Sequence, residues 1–230
     1  MIKRLIEGYI RTTKNGDFKF DSNISNKMIV NLFFIKTISL LKGLRFLYIN
    51  KKFNKIFVGK KLKIYNKKNI SVGNNVNIGD YVTLNALGSE GIKISDNVNI
   101  GSFSQLVIST SYNNIGSFIK LGKNVGFGEF SYLGGAGGLE IGEDTIIGQY
   151  FSAHPENHNF EHKDIPIRMQ GVTRKGIKIG NNCWIGSKVT ILDGVKIGKN
   201  SVIASGAVVN KSFGENVVIG GVPAKILKEI

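Results

Sequence analysis

From Ile179 to Val209 an aliphatic residue recurs every six positions: Ile179, Ile185, Ile191, Ile197, Ile203 and Val209. Gly180, Gly186, Gly198 or Ala204 follows four of them, and a compact residue (Cys183, Val189, Val195, Ser201, Ala207) stands four places beyond each of the first five. A helix repeats its stripe every 3.6 residues and a half-buried strand every two, so a period of six fits neither. It fits a solenoid in which each hexad is one flat side, the aliphatic side chain points inward, and the next residue turns the corner, where glycine costs least. Three sides make an 18-residue triangular coil, stacked on the next at about 4.8 Å. Self-similarity at a fixed period is the signature of repeat architectures, hexapeptide β-helices among them.

The pattern reaches back, more loosely, to about Val58. Inward triplets are Val72/Ile78/Leu84, Ile94/Ile100/Leu106, Leu121/Phe127/Leu133 and Ile141/Ile147/Ala153. Their starts lie 22, 27 and 20 residues apart, so short bulges are expected near Gly88 to Gly91, Ser109 to Gly116 and Gly134 to Gly138. Between Ile141 and Ile179 there are 38 residues but one visible coil. The rest is His154 to Gly176, a polar stretch with Pro155, Pro166 and all three histidines of the chain. A long loop that interrupts a committed repeat and collects the only histidines is the best site candidate.

The 230 residues allow one or two domains, and 42% hydrophobic content with mean hydropathy near zero is ordinary for a soluble protein. The single cysteine, Cys183, excludes an internal disulfide and occupies a compact repeat position, where it reads as core filler. Met1 to Gly16 is charged throughout and lacks the apolar stretch of a signal peptide, so the expectation is a cytoplasmic protein, free or at the inner face of the membrane.

Charge is concentrated at one end. Residues 1–68 hold 17 Lys and Arg against Glu7, Asp17 and Asp21, a net +14, while the other 162 residues hold 14 against 13. Within the basic end, Met28 to Ile49 is rich in Leu, Ile and Phe but interrupted by Lys36, Lys42 and Arg45, too often for a spanning helix of about 20 apolar residues. It reads as an amphipathic helix in a partly helical segment, 1–55, ahead of a solenoid at 56–217 and a tail at 218–230. Its partner is open between the solenoid end or a sister subunit, and an anionic membrane surface met by residues 28–63 with Lys51, Lys52, Lys55, Lys60, Lys61 and Lys63. Nucleic acid fits poorly, because the aromatic residues sit among aliphatic ones instead of forming a stacking platform.

Four features carry a resemblance: the hexad run, the stretch Glu156-Asn157-His158, the segment NNCWIGSKVTILDGVKIG from Asn181, and the closing GGVPAKILKEI. Over about residues 70–230 they resemble the left-handed β-helix acyltransferases, and most closely the sugar O-acetyltransferases, which include galactoside and maltose acetyltransferases and enzymes that modify surface polysaccharides. The resemblance implies an all-β left-handed parallel β-helix, a homotrimer with sites between neighbouring solenoids, acetyl-CoA as co-substrate, no metal, and a histidine general base.

In that family the base falls eleven residues after the inward residue of the last coil before the loop, which from Ile147 is His158. His154 with Pro155 imitates a family dipeptide but stands only seven residues on, and His162 reads as a solvated loop residue. A neutral imidazole can take the proton of a sugar hydroxyl as its oxygen attacks a thioester. Glu156, Asp144 and Glu129 are the carboxylates that could orient it. By resemblance the oxyanion donor is the backbone N–H of Ser187. The pantetheine arm of the donor is expected along Ser187 and Ser205, one coil apart, with Trp184 as a corner aromatic near it and Lys211, Lys225 and Lys228 for the phosphates. The expected acceptor is a sugar hydroxyl of a polysaccharide or its precursor, preferred because the basic N-terminal segment suits a membrane-proximal glycan, with a small free sugar, antibiotic or amino sugar as the alternative. Zinc held by His154, His158 and His162 would need a helix that Pro155 opposes, and a scaffold without turnover is the other reading weighed.

Overall fold

The computed structural model describes residues 2–13, 16–46 and 54–230. Lys51 and Lys52 of the basic cluster, and positions 47–49 of the expected helix, lie outside them. From Ile56 onward the chain winds into a parallel β-helix of triangular section, in which short strands stack into three sheets. The first face holds, among others, Asn99–Ile100, Gly126–Phe127, Ile146–Ile147, Trp184–Ile185 and Val202–Ile203. The second face includes Gln105–Val107, Tyr132–Gly134, Ser152–His154 and Thr190–Leu192, and the third Gly116–Leu121, Leu139–Ile141 and Ile177–Ile179.

Register is what makes the hexads one core. Phe127, Ile147, Ile185, Ile203 and Ile219 pair in sequence down the first face, Leu133, Ala153, Ile191 and Val209 down the second, and Leu121, Ile141, Ile179 and Ile197 down the third. All of these are buried. Ile141 pairs directly with Ile179, so the 38-residue interval is one coil with an insertion and conceals no second coil. Cys183 lies in the same core, and burial pushes its thiol pKa up.

The corners correct one expectation. The glycine after each inward residue is explained by close approach to the next coil: a Cβ on Gly186 would stand 2.5 Å from the Ser205 amide nitrogen, and one on Gly148 would stand 2.6 Å from that of Ser187. The left-handed conformation belongs to residues two places further on. Between the third and first faces it is adopted by Asn75, Asn97, Asn124, Asp144, Asn182, Asn200 and Asn216, the residue types that tolerate it best. Several of these join in side-chain ladders, such as Asn97 to Asn124 at 2.9 Å and Asn124 to Asp144 at 2.7 Å. Between the first and second faces it is adopted by Lys61, Tyr81, Phe103, Phe130, Tyr150 and Lys188. The four aromatic rings stack at 4.9–5.1 Å, which offsets the conformational cost of a bulky left-handed residue.

The chain closes on an antiparallel pair, Val217–Gly221 with Ala224–Glu229. At the other end, α1 (Ile2–Thr13) and α2 (Asn26–Gly43) precede Phe46, which is buried in the first coil. Ser25 caps α2, accepting from the Met28 amide at 3.2 Å. A second expectation fails here, because α2 is not amphipathic. It is apolar on nearly every side, packs narrowly through Ile29 and Gly43, and leaves Met28, Val30, Phe33, Phe34, Ile35 and Leu41 exposed.

Adjacent residues on opposite sides of one strand test the architecture. Ile147→Ala removes an inward side chain and is expected to cost about 2–5 kcal/mol, whereas Ile146→Ala, on the outer surface, should change stability by about 0.5 kcal/mol or less. Urea unfolding of the two variants measures this difference.

Candidate active site

The corners before and after the first face are of nearly constant length, so chain of variable length can leave only between the second and third faces. There the bulges around Ser109–Ile115 and Gly135–Gly138 and the insertion after His154 emerge one above another. They enclose a cavity of about 350 Å³ whose lining includes Ser109, Tyr132, His154, Glu156, His158 and Arg174. The insertion starts as a two-stranded hairpin, Asn157–His158 pairing with Val172–Thr173, which presents His158 at the rim, exposed to solvent.

The floor is built by the repeat. His154 ends its strand and stacks on Tyr132, with ring centroids 5.4 Å apart. Gly134 makes the space, since a Cβ there would come within 2.9 Å of Pro155 Cδ and 3.5 Å of Tyr132 Cε1. Partial burial lowers the His154 pKa below its ordinary 6.5, and it raises that of Tyr132, helped by the Glu156 charge. His154 is therefore held toward the neutral imidazole.

Arg174 fastens the loops together. Its Nε donates to Glu156 Oε2 at 2.6 Å, and its Nη1 donates to Asn114 Oδ1 and to the Ile115 carbonyl, each at 2.9 Å. One guanidinium thus ties the insertion to a bulge two coils earlier, with a fork geometry that lysine lacks. The rest of the insertion folds on itself: Gln170 Nε2 donates to the carbonyls of His162 and Ile165, which holds His162 away from the cavity lining. At its end Asp193 Oδ1 accepts from the amides of Lys175 and Gly176, at 2.9 and 2.8 Å.

Of the three carboxylates considered, only Glu156 lines the cavity. Asp144 sits in the asparagine ladder and Glu129 on the aromatic corner. Among the described residues no group of three His, Cys, Asp or Glu is placed to hold a metal ion. Ser187 and Ser205 stack one above the other on the corner between the first and second faces, and Ser187 Oγ donates to Gln149 Oε1 at 3.0 Å. Among the described residues the Ser187 amide donates to no group, whereas its neighbours Gly186 and Lys188 bond to adjacent coils. Trp184 is not a corner residue: it stands on the outer surface of the first face, 58% exposed, paired with Ile146 and Val202. The three lysines are not brought together either, because Lys225 and Lys228 lie on the terminal strand and Lys211 follows the last strand of the second face.

One chain therefore does not unite its own candidate groups. His154 pairs with Leu192, five residues after Ser187, so Ser187 and the histidine cavity stand at opposite edges of the second face, roughly 16 Å apart at about 3.3 Å per residue. Tyr132 and Arg174 escaped the sequence reading. Coil register would have found the first, by placing Tyr132 beside Ser152 with Gly134 next to His154, but nothing local marks Arg174.

Two outcomes follow. Arg174→Ala should free both loops, seen as faster amide hydrogen exchange in 109–115 and 156–158, and Arg174→Lys should not restore protection. In an NMR titration His154 should protonate below 6.5 and shift upward in Tyr132→Ala. Because the unfolded chain takes up that proton first, the native state should lose stability as pH falls from about 6.5 toward the lower native value.

Comparison with known proteins adds the family context. Residues 176–211 match the bacterial transferase hexapeptide model, six repeats. The chain is 35% identical over 113 residues to a putative lipopolysaccharide biosynthesis O-acetyl transferase of Escherichia coli K12, covering 46% of this chain and 58% of that one. It is 40% identical over 93 residues to the galactoside O-acetyltransferase of the same organism, covering 40% and 44%. The chain thus spans about half the length of these curated relatives. An N-acyltransferase from Bacillus cereus, solved in complex with dTDP and 3-hydroxybutyryl-CoA, shares the fold at a TM-score of 0.52 with 20% identity, covering 82% of this chain and 87% of that one. The chain accordingly folds as a left-handed parallel β-helix, carries the bacterial transferase hexapeptide repeat at 176–211, and over about half of their length is similar to proteins named as O-acetyltransferases.

Proposed function

We propose that the protein is an acetyl-CoA-dependent O-acetyltransferase acting on a sugar hydroxyl of a surface polysaccharide or its precursor. The observation that carries this reading is the histidine cavity, built where the coils release their only long loops, directly beside the transferase-type hexapeptide coils. His158 lines it on the hairpin, exposed to solvent and with no stacking partner among the described residues, while His154, also exposed, is stacked on Tyr132; this favours His158 as the group that meets an incoming hydroxyl.

In this reading His158 accepts the hydroxyl proton as the sugar oxygen attacks the acetyl carbonyl. The oxyanion accepts a hydrogen bond from the Ser187 amide, a donor that no described group occupies. Collapse breaks the carbon–sulfur bond, and the departing thiolate takes the proton from His158. The pantetheine arm lies along Ser187 and Ser205; Lys225, opposite Gly220 and so level with Ala204, is the lysine nearest that corner for the phosphates, while Lys228, opposite Val218, stands further back along the terminal strand. Lys211, on another face, and Trp184, on the outer surface, have weaker claims as donor contacts.

The separation of Ser187 from the cavity requires two copies, one supplying His158 and the next supplying the Ser187 corner. A closed ring of three, each contributing both halves to different neighbours, satisfies that requirement with identical contacts.

His158→Ala should lower kcat by about 10²–10⁴ with the assembly and circular dichroism unchanged, measured as thiol release from acetyl-CoA with glycan acceptors. Full activity in His158→Ala together with loss in His154→Ala would transfer the base to His154. Glycan mass spectra from cells with and without the gene identify the acceptor by the loss of one acetyl group.

A further inference from the structure

Helix α2 presents a surface that neither the fold nor the acetyl-transfer reading uses. Six large apolar residues, Met28, Val30, Phe33, Phe34, Ile35 and Leu41, are each more than half exposed on one 18-residue helix. A helix that is apolar all round is stable only in an apolar environment, and exposed patches of this kind mark interaction sites. The solenoid supplies that environment along one narrow side only. Gly43 is pressed against Ile56, where a Cβ would stand 1.8 Å from its carbonyl oxygen, and Lys36 Nζ reaches Asn77 Oδ1 at 3.0 Å and lies 5.0 Å from the Phe57 ring. These contacts tie α2 to the first coils, and no helix among the described residues is long and apolar enough to cross a bilayer.

The charge around α2 selects the occupant. Lys27 and Lys42 sit at its two ends, and Lys42 joins Lys60 and Lys61 in lining a cavity of about 400 Å³ that is completed by Gly59 and Tyr81. No acid among the described residues lines it, and Asp80, next to Tyr81 in sequence, is turned to the backbone, its Oδ1 accepting from the Lys60 amide. None of the described ion pairs involves these three lysines. A second copy is a poor occupant, because interface cores are depleted in lysine and closure on this face would bring segments of net +14 together. An anionic bilayer fits both properties at once: α2 brings apolar side chains to the acyl boundary, and the polar side that it lacks is supplied by Lys42 together with Lys60 and Lys61 of the coil, among the headgroup phosphates.

We propose that α2 lies in the plane of an anionic phospholipid bilayer, with Val30, Phe34 and Leu41 facing the acyl boundary and the Lys42/Lys60/Lys61 cavity on a lipid phosphate. The proposal goes beyond the acetyl-transfer reading and stands independently of it, since its test measures binding alone.

The test is co-sedimentation of the full chain with phosphatidylcholine vesicles made with and without phosphatidylglycerol. The wild type should pellet with the anionic vesicles and not with the neutral ones. Binding should weaken as salt rises from about 0.1 M to about 1 M, which shortens the screening length from about 10 to about 3 Å. Val30→Ser/Phe34→Ser/Leu41→Ser changes only exposed side chains and should cut binding at least tenfold with circular dichroism unchanged. Lys42→Gln/Lys60→Gln/Lys61→Gln should cut it by about fivefold per lysine. The proposal is overturned if the wild type stays in the supernatant, if it pellets equally with neutral vesicles, or if the serine variant binds like wild type. It is also overturned if that variant instead reduces the size of the assembly in light scattering, which would assign the face to a second copy.

Discussion

Everything in this molecule depends on the parallel register of successive coils. Each inward aliphatic residue sits over its counterpart one coil away, and the backbone bonds that enforce this leave little room for side chains at the glycine corners. With two corners fixed in length, inserted chain can leave the solenoid only at the third. That restriction gathers three separate loops into one cavity and puts His154 and His158 beside residues of coils far earlier in sequence.

Much of this was legible in the sequence because a period of six is a geometric statement. It located the inward residues, the bulges and the interrupting loop, and it implied that Ile141 and Ile179 are neighbours or two coils apart. It could not say which, since that depends on whether the intervening polar chain winds or protrudes. The role of the glycines was misread for a related reason: the pattern shows where a small residue is needed, while only the structure separates a positive φ from a close approach. The aromatic column at left-handed corners runs against local preference and becomes intelligible only once the rings are seen to stack.

The site was less legible than the fold. His158 and Ser187 could be nominated by position, but Arg174 acts on Asn114 and Ile115, about 60 residues away, through contacts that no spacing encodes. Trp184 looked like a corner residue and is an outward strand residue, because it stands immediately before an inward one. Helix α2 was expected to be amphipathic from its interrupting lysines, yet one of these, Lys36, is drawn to Asn77 and Phe57, and apolar side chains remain around the outward face. The N-terminal segment and the solenoid thus obey different constraints: the repeat buries its own apolar residues, while α2 leaves most of its apolar side chains exposed among the described residues.

The account turns on a site divided between two copies. A mixture of His158→Ala chains and Ser205→Trp chains, the second filling the donor corner, tests it directly after joint unfolding and refolding. If one copy supplies the histidine and its neighbour the corner, random assembly restores about a quarter of wild-type acetyl transfer, because a site works only where intact halves meet. A mixture as inactive as its two components would contradict the account.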